Sequence, residues 1–207
     1  MNVVPEQKKI SGGRVSWDNV FQGKLWVLQQ ETQSNGMVYE RAFRTPGVRL
    51  LFVREGKVLL SQEARKELGG KVDHRLPGGK VFDSVDEYQD FLASGRDILE
   101  ASRKSACKEA LEEVGIVIKP TNLRHLATDI LGAICSWDLH YWVCDEFEFH
   151  SDGAQYHEAE VDDIKGFVWV PILEACRMSI NKDQFSESRS AAVIIDYAVR
   201  NGYLTIR

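Results

Sequence analysis

Apolar and polar positions alternate through the first part of the chain. Leu25 and Val27 are set against Trp26 and Leu28, Asn35-Gly36 interrupts, and a second run extends from Met37 to Phe43. Period-two alternation on both sides of Asn-Gly predicts a β-hairpin. Two more short strands are predicted at 48–54 and 57–62, joined at Glu55-Gly56, whereas 63–80, rich in charge and glycine, reads as loop. A helix is expected at 85–93. At 97–114 the period lengthens. Ile98, Leu99, Ala106, Ala110, Leu111 and Val114 supply one apolar side of a helix that stops at Gly115. Beyond it, 123–130, 136–149 and 167–170 read as strands, Pro171 opens a short helix through Ala175, and 188–199 forms an amphipathic helix. Strands mixed with a central helix suggest an α/β (α+β) fold, a sheet covered by helices. No internal repeat or low-complexity segment interrupts it.

Composition narrows the function classes. The 207 residues suit one substantial core, or a catalytic domain with a small accessory sheet. A formal charge of -5 argues against a nucleic-acid or anionic-membrane partner, since both favour a basic surface, yet leaves room for a local basic pocket that takes phosphates. No apolar run approaches the ~20 residues of a membrane span. The N-terminal MNVVPEQKKI is polar and has no apolar signal core, so a cytoplasmic location is the default expectation. Cys107, Cys135, Cys144 and Cys176 form no C-x-x-C pair and have no histidine at zinc-ligand spacing, which reads as scattered reduced thiols.

The chemistry is concentrated in Glu100-Ala-Ser-Arg-Lys-Ser-Ala-Cys-Lys108-Glu109-Ala-Leu-Glu112-Glu113-Val-Gly115-Ile116. Glu109, Glu112 and Glu113 stand at i, i+3 and i+4, which on a helix puts three carboxylates on one face. They repel one another unless cations sit among them, and hard divalent ions such as Mg²⁺ take oxygen ligands. The plain alternative is a solvated acidic face relieved by Lys104 and Lys108.

The segment resembles the box of the Nudix hydrolases, G-x5-E-x7-R-E-U-x-E-E-x-G-U, with U a bulky aliphatic. Glu100, Glu109, Glu112, Glu113, Gly115 and Ile116 match in register, and Leu76-Pro77-Gly78-Gly79 resembles the loop leading into the box. Lys108 replaces the box Arg, and Ala110 stands at the first aliphatic position. About twenty residues, 80–99, separate the glycines from Glu100, where the family has a few. The box Gly falls at Ser94, so either Gly79 plays its role across an insertion or Gly95 does by a small shift. The insertion suits a lid, a dimer contact or a neutral elaboration. The resemblance implies a Nudix α/β/α sandwich with a mixed sheet, and Mg²⁺ as cofactor with Mn²⁺ as an alternative. It also implies Glu109 and Glu113 as principal metal ligands, Glu112 assisting in catalysis and binding, and the Gly78 carbonyl as a backbone ligand. Glu100 would orient the loop or hold a further metal through water. Lys108, Gly79 and Gly115 would be structural parts of the box.

The rest of the chain is similar to the ADP-ribose pyrophosphatase and nucleoside diphosphate sugar hydrolase branch. The similarity lies in the N-terminal strands, Tyr39-Glu-Arg-Ala-Phe-Arg44 before Gly47-Val48, Gln62-Glu-Ala-Arg65, and the acidic Glu158–Ile164 run before Phe167-Val-Trp-Val-Pro171. Arg75 stands where the branch has a Glu before its Leu-Pro-Gly loop. The branch implies a general base in the acidic loop, Glu160 first and Asp162 second. Arg41, Arg44 and Arg65 are candidates for phosphate contacts, since guanidinium matches phosphate oxygens in pairs. Trp17, Trp26 and Tyr39 are candidates to stack on a base. The branch further implies an N-terminal β region at 1–46, a catalytic domain at 47–207, and a homodimer that shares its active sites. The expected reaction is Mg²⁺-dependent hydrolysis of ADP-ribose or a nucleotide sugar to a nucleoside monophosphate and a sugar phosphate. The competing readings are a Nudix hydrolase of a dinucleotide, a nucleoside triphosphate or NADH, a non-catalytic Nudix ligand sensor, and a plain acidic α/β protein.

Overall fold

The computed structural model describes residues 17–132, 134–155 and 164–205. They fall into two compact units. The first takes the described parts of Met1–Pro46 with Phe82–Arg96 and Ile130–Asp138; the second takes the described parts of Gly47–Val81, Asp97–Asp129 and Leu139–Arg207.

In the first unit β1 (Asp18–Gln22), β2 (Trp26–Thr32) and β3 (Val38–Arg44) form an antiparallel meander. The expected hairpin at Asn35-Gly36 is present. Its loop spans five residues, closed by Gln33 N–H donating to the Met37 carbonyl, with Gly36 at φ 83°. Val27 and Phe43 are paired and buried on one face. Helix α1 (Val85–Ala93) has the bounds expected of 85–93. It buries Val85, Tyr88 and Phe91, and Tyr88 stacks on both Phe43 and Phe82, with centroids 5.6 and 5.1 Å away. Its start is fixed twice: Ser84 Oγ accepts from Glu87 N–H, and the Glu87 carboxylate accepts from Asp83 N–H.

The second unit is built on β4 (Gly47–Arg54) and the later part of β9 (Cys135–Cys144), paired in parallel from Gly47/Leu139 to Phe52/Cys144. Both strands are buried almost throughout this stretch, as strands covered on both faces must be. β5 (Lys57–Ala64) pairs with β4 only at Val53 and Arg54, then runs antiparallel to β6 (Val72–Arg75) and β11 (Ile164–Pro171). β8 (Arg124–Leu131) pairs with β9, and a separate small ladder joins β7 (Ile116–Val117) to β10 (Glu148–Phe149). Trp142 Nε1 donates to Ser102 Oγ of α2 (Ile98–Glu109), whereas the neighbouring Tyr141 hydroxyl lies 3.3 Å from Ser190 Oγ of α4 (Ser188–Arg200). Successive strand residues face opposite ways, so the two helices cover opposite faces. The expected α/β/α sandwich is present. The core toward α2 joins Val48, Leu50, Phe52 and Trp142 to Ala106, Ala110 and Ile116. Each fully buried Leu or Phe side chain there contributes about 1.5–3 kcal/mol. Helix α3 (Ile172–Ile180) follows β11 and packs on α4.

Three expectations are corrected. The stretch 63–80 is not all loop, because β5 continues through Glu63 and Ala64 and β6 pairs with it. These polar residues form strand through cross-strand bonds and ion pairs, which apolar alternation does not register. The stretch 136–149 is two strands, β9 ending at Cys144 and β10 beginning at Glu148. The helix at 97–114 is α-helical only to Glu109, then continues as a π-helical turn, Ala110–Val114.

Candidate active site

Leu76-Pro77-Gly78-Gly79 runs beside β4 where β5 leaves it. Val48 N–H donates to the Gly79 carbonyl at 2.9 Å, and Leu50 N–H donates to the Pro77 carbonyl at 2.8 Å. The Gly78 carbonyl between them is not part of this ladder. Gly78 has φ 146°, and a Cβ there would stand 2.2 Å from the Val48 carbonyl oxygen, so the close approach requires glycine.

Helix α2 begins at Asp97, whose side chain accepts from Leu99 N–H at 2.9 Å. Its far end delivers the carboxylates. Wider turns of this kind recur at functional sites, because they re-aim side chains relative to an α-helix. Gly115 closes the turn at φ 70°; a Cβ there would strike the Gly153–Ala154 backbone at 2.5 Å. Glu113 Oε2 accepts from Gly78 N–H at 2.8 Å. Glu109, only 7 % exposed, occupies the space that a Gly79 side chain would fill, since a Cβ would lie 2.4 Å from its carboxylate atoms. Both carboxylates therefore abut the two glycines. Burial and then the Glu109 charge push the Glu113 carboxyl up to about 8; Gly78 N–H and the Arg49 charge oppose this, and Glu63 adds to it.

The other box residues are placed differently. Glu112 is half-buried and pairs with Lys108 at 3.2 Å, across one turn. Glu100 is exposed and pairs with Arg103 and Lys104 along its own helix, at 3.5 and 3.6 Å. Arg65 pairs with Glu63 at 2.9 Å, and Glu63 also accepts from Ser61 Oγ. In the first unit Arg41 donates to Gln29 Oε1 and lies over Trp17, while Arg44 lies between Trp26 and Trp137. Glu160 and Asp162 lie outside the described residues.

Two charged clusters were not singled out from the sequence. Arg49 of β4 makes two bonds, of 3.0 and 3.1 Å, to Glu187 just before α4. Burial alone would raise the Glu187 carboxyl, but the Arg49 charge and the bonds from Arg49 and Ser190 hold it at about 2. Asp73 accepts from Arg75 Nε at 2.8 Å and from both the N–H and the hydroxyl of Ser186. For the second cluster the available signal was the i, i+2 spacing that puts Asp73 and Arg75 on one strand face, hidden while that stretch read as loop.

Two adjacent carboxylates beside the glycine loop, Glu109 buried and Glu113 partly buried, fit a divalent cation. Among the described residues no three His, Cys, Asp or Glu side chains converge as a ready-made cage. Mg²⁺ suits such a partial site, because it keeps several waters and takes one or two carboxylates plus substrate phosphates.

No protein-family model and no curated protein matches the chain. Among solved structures it is similar to an ADP compounds hydrolase at 17% identity and TM-score 0.65, over 96% of this chain and 100% of the other. It also matches a MutT NUDIX hydrolase from Burkholderia pseudomallei at 22% identity and TM-score 0.42, over 62% and 83%. With a helix on each face of a mixed sheet, and the acidic end of one helix against the Gly78-Gly79 loop, the chain has the Nudix fold.

Proposed function

We propose that the protein is a Mg²⁺-dependent Nudix hydrolase that cleaves the diphosphate of ADP-ribose or a nucleoside diphosphate sugar, giving a nucleoside monophosphate and a sugar phosphate. The observation that carries this reading is the convergence of Glu109 and Glu113 on Gly78-Gly79. Likeness in fold to an ADP compounds hydrolase supports the substrate class. Glu109, Glu113 and the Gly78 carbonyl would hold the metal. Mg²⁺ there would neutralise the diphosphate and make a coordinated water more acidic. Glu112 assists, kept in place by Lys108. Glu160 is our first assignment for the carboxylate that takes the water proton, Asp162 the second, both on sequence position. Arg65, already aligned by Glu63, is assigned to a substrate phosphate, with Arg41 and Arg44 as further phosphate contacts. The test is phosphate release, coupled to a phosphatase, from ADP-ribose, nucleotide sugars, dinucleotides and triphosphates, with and without Mg²⁺. Turnover confined to dinucleotides or triphosphates would keep the chemistry and discard the substrate class. Silence across the panel with Mg²⁺ still bound would favour the ligand-sensor reading.

The quaternary reading is a homodimer. On the face of β1–β3 opposite Val27 and Phe43, register places Phe21, Trp26 and Leu28 together, with Val38 farther along the same face, all exposed. Such an apolar patch is costly in water and suits a partner surface. The four cysteines are free thiols, in keeping with a reducing compartment such as the cytoplasm. No described helix is long and apolar enough to cross a membrane.

A further inference from the structure

Arg49 stands where the fold has no need of a charge. Its β4 neighbours Val48, Leu50, Leu51 and Phe52 are fully buried and apolar. The Arg49 and Glu187 side chains are themselves only 11 % and 9 % exposed. A buried ion pair is weak evidence for stability, since well-packed apolar residues often replace one at no cost. What distinguishes Arg49 is a third bond. While Nε and Nη2 hold Glu187, Nη1 donates to the Val48 carbonyl at 3.0 Å.

That carbonyl is the atom against which Gly78 rests. Val48 N–H is bonded to the loop through Gly79, so its carbonyl, on the same side of the strand, faces the loop as well. In this antiparallel register the donor opposite the Val48 carbonyl is Gly79 N–H, while the neighbouring Gly78 N–H is turned to Glu113. Arg49 Nη1 supplies a donor where the loop does not. A buried carbonyl left without a donor costs about 1–3 kcal/mol, enough to draw the Gly78-Gly79 backbone toward it. Ser190 Oγ on Glu187, with the Tyr141 hydroxyl beyond it, anchors the arrangement to α4.

We propose that Arg49 is a positioning residue: by satisfying the Val48 carbonyl it keeps the Gly78-Gly79 backbone turned so that Gly78 N–H holds the Glu113 carboxylate. This rests on the Glu109–Glu113 site reading for its functional meaning, but the positioning is testable apart from catalysis. The probe is the scalar coupling across the hydrogen bond from Gly78 ¹⁵N to Glu113 ¹³Cδ, measured in the full chain for wild type, Arg49→Met/Glu187→Leu and Arg49→Lys. The paired replacement is expected to fold with an unchanged or higher Tm and to lose the coupling. Its kcat should fall by about 10–100-fold, the scale seen when a metal ligand loses its outer support, with KM little changed. Coupling retained in a folded paired variant overturns the proposal and makes Arg49 a structural residue. If that variant does not fold, Arg49→Lys decides, because its ammonium lacks the planar fork that reaches Glu187 and Val48 together. Coupling unchanged there also overturns the proposal, and coupling lost supports it. Loss of coupling in a protein whose wild type hydrolyses nothing would uphold the positioning role and sink the hydrolase reading.

Discussion

Glu113 is the residue on which charge, burial and chemistry meet. Its folded carboxyl titrates near 8 against an ordinary 4.5, because burial and Glu109 disfavour the anion. For an acid raised in this way the stabilising contribution is whole below about 4.5 and is lost as pH rises through about 8. Without divalent cation, the stability difference between wild type and Glu113→Gln should therefore move against wild type across that window. Urea denaturation at a series of pH values measures it, and a flat difference would refute the assigned environment. The same substitution should cut Mg²⁺-dependent turnover by at least about 100-fold, since even outer-shell partners of a metal are worth about 10–100-fold. Lys108→Arg should hold kcat within a few-fold. The Lys108–Glu112 pair is exposed and worth about 0.3–0.5 kcal/mol, and Arg spans the same turn. A collapse of kcat would show that Lys108 does more than align Glu112.

The loop and the end of α2 act as one device at the scale of elements. Gly78 and Gly79 are neighbours with different reasons to be glycine. At Gly78 the obstacle is the β4 backbone and φ is positive; at Gly79 it is the tip of the Glu109 side chain. Gly78→Ala should lower Tm by several degrees, on the scale of about 2–4 °C per kcal/mol for a chain of this size. Gly79→Ala should fold at nearly wild-type Tm, because a flexible carboxylate can move, yet lose Mg²⁺ binding and most activity. Calorimetry beside turnover separates the two, and equal losses of stability would contradict the distinction. Sequence periodicity located this helix and loop correctly but not the π turn between Glu109 and Gly115. A widened turn changes no residue type and leaves apolar spacing nearly intact.

Over the whole molecule, the proposed metal and the proposed partner copy would be the two external determinants of stability. Mg²⁺ at about 100 times its Kd adds about 2.7 kcal/mol, so Tm should rise by roughly 5–10 °C in the cation and return with EDTA. No shift would remove the metal from the reading. Trp26→Glu on the exposed face of the N-terminal sheet should convert a sedimenting dimer to monomer while the second unit keeps its fold. A monomeric wild type at micromolar concentration would discard the dimer.

Legibility in the sequence followed locality. The Asn-Gly hairpin, the helix at 85–93, the carboxylate spacing of the box and the glycine loop are set by neighbours within a few positions, so they could be read in advance. β6 could not, because Val72–Arg75 is a strand only through Ser61, Glu63 and Ser186, which lie far off in sequence or across the sheet. The placement of Glu109 on Gly79, and the Arg49–Glu187 pair across 138 positions, are likewise products of packing. Spacing along a chain specifies which side chains share a face. Which distant backbone that face meets, and which buried charge is answered there, emerges only when the sheet and helices close on each other.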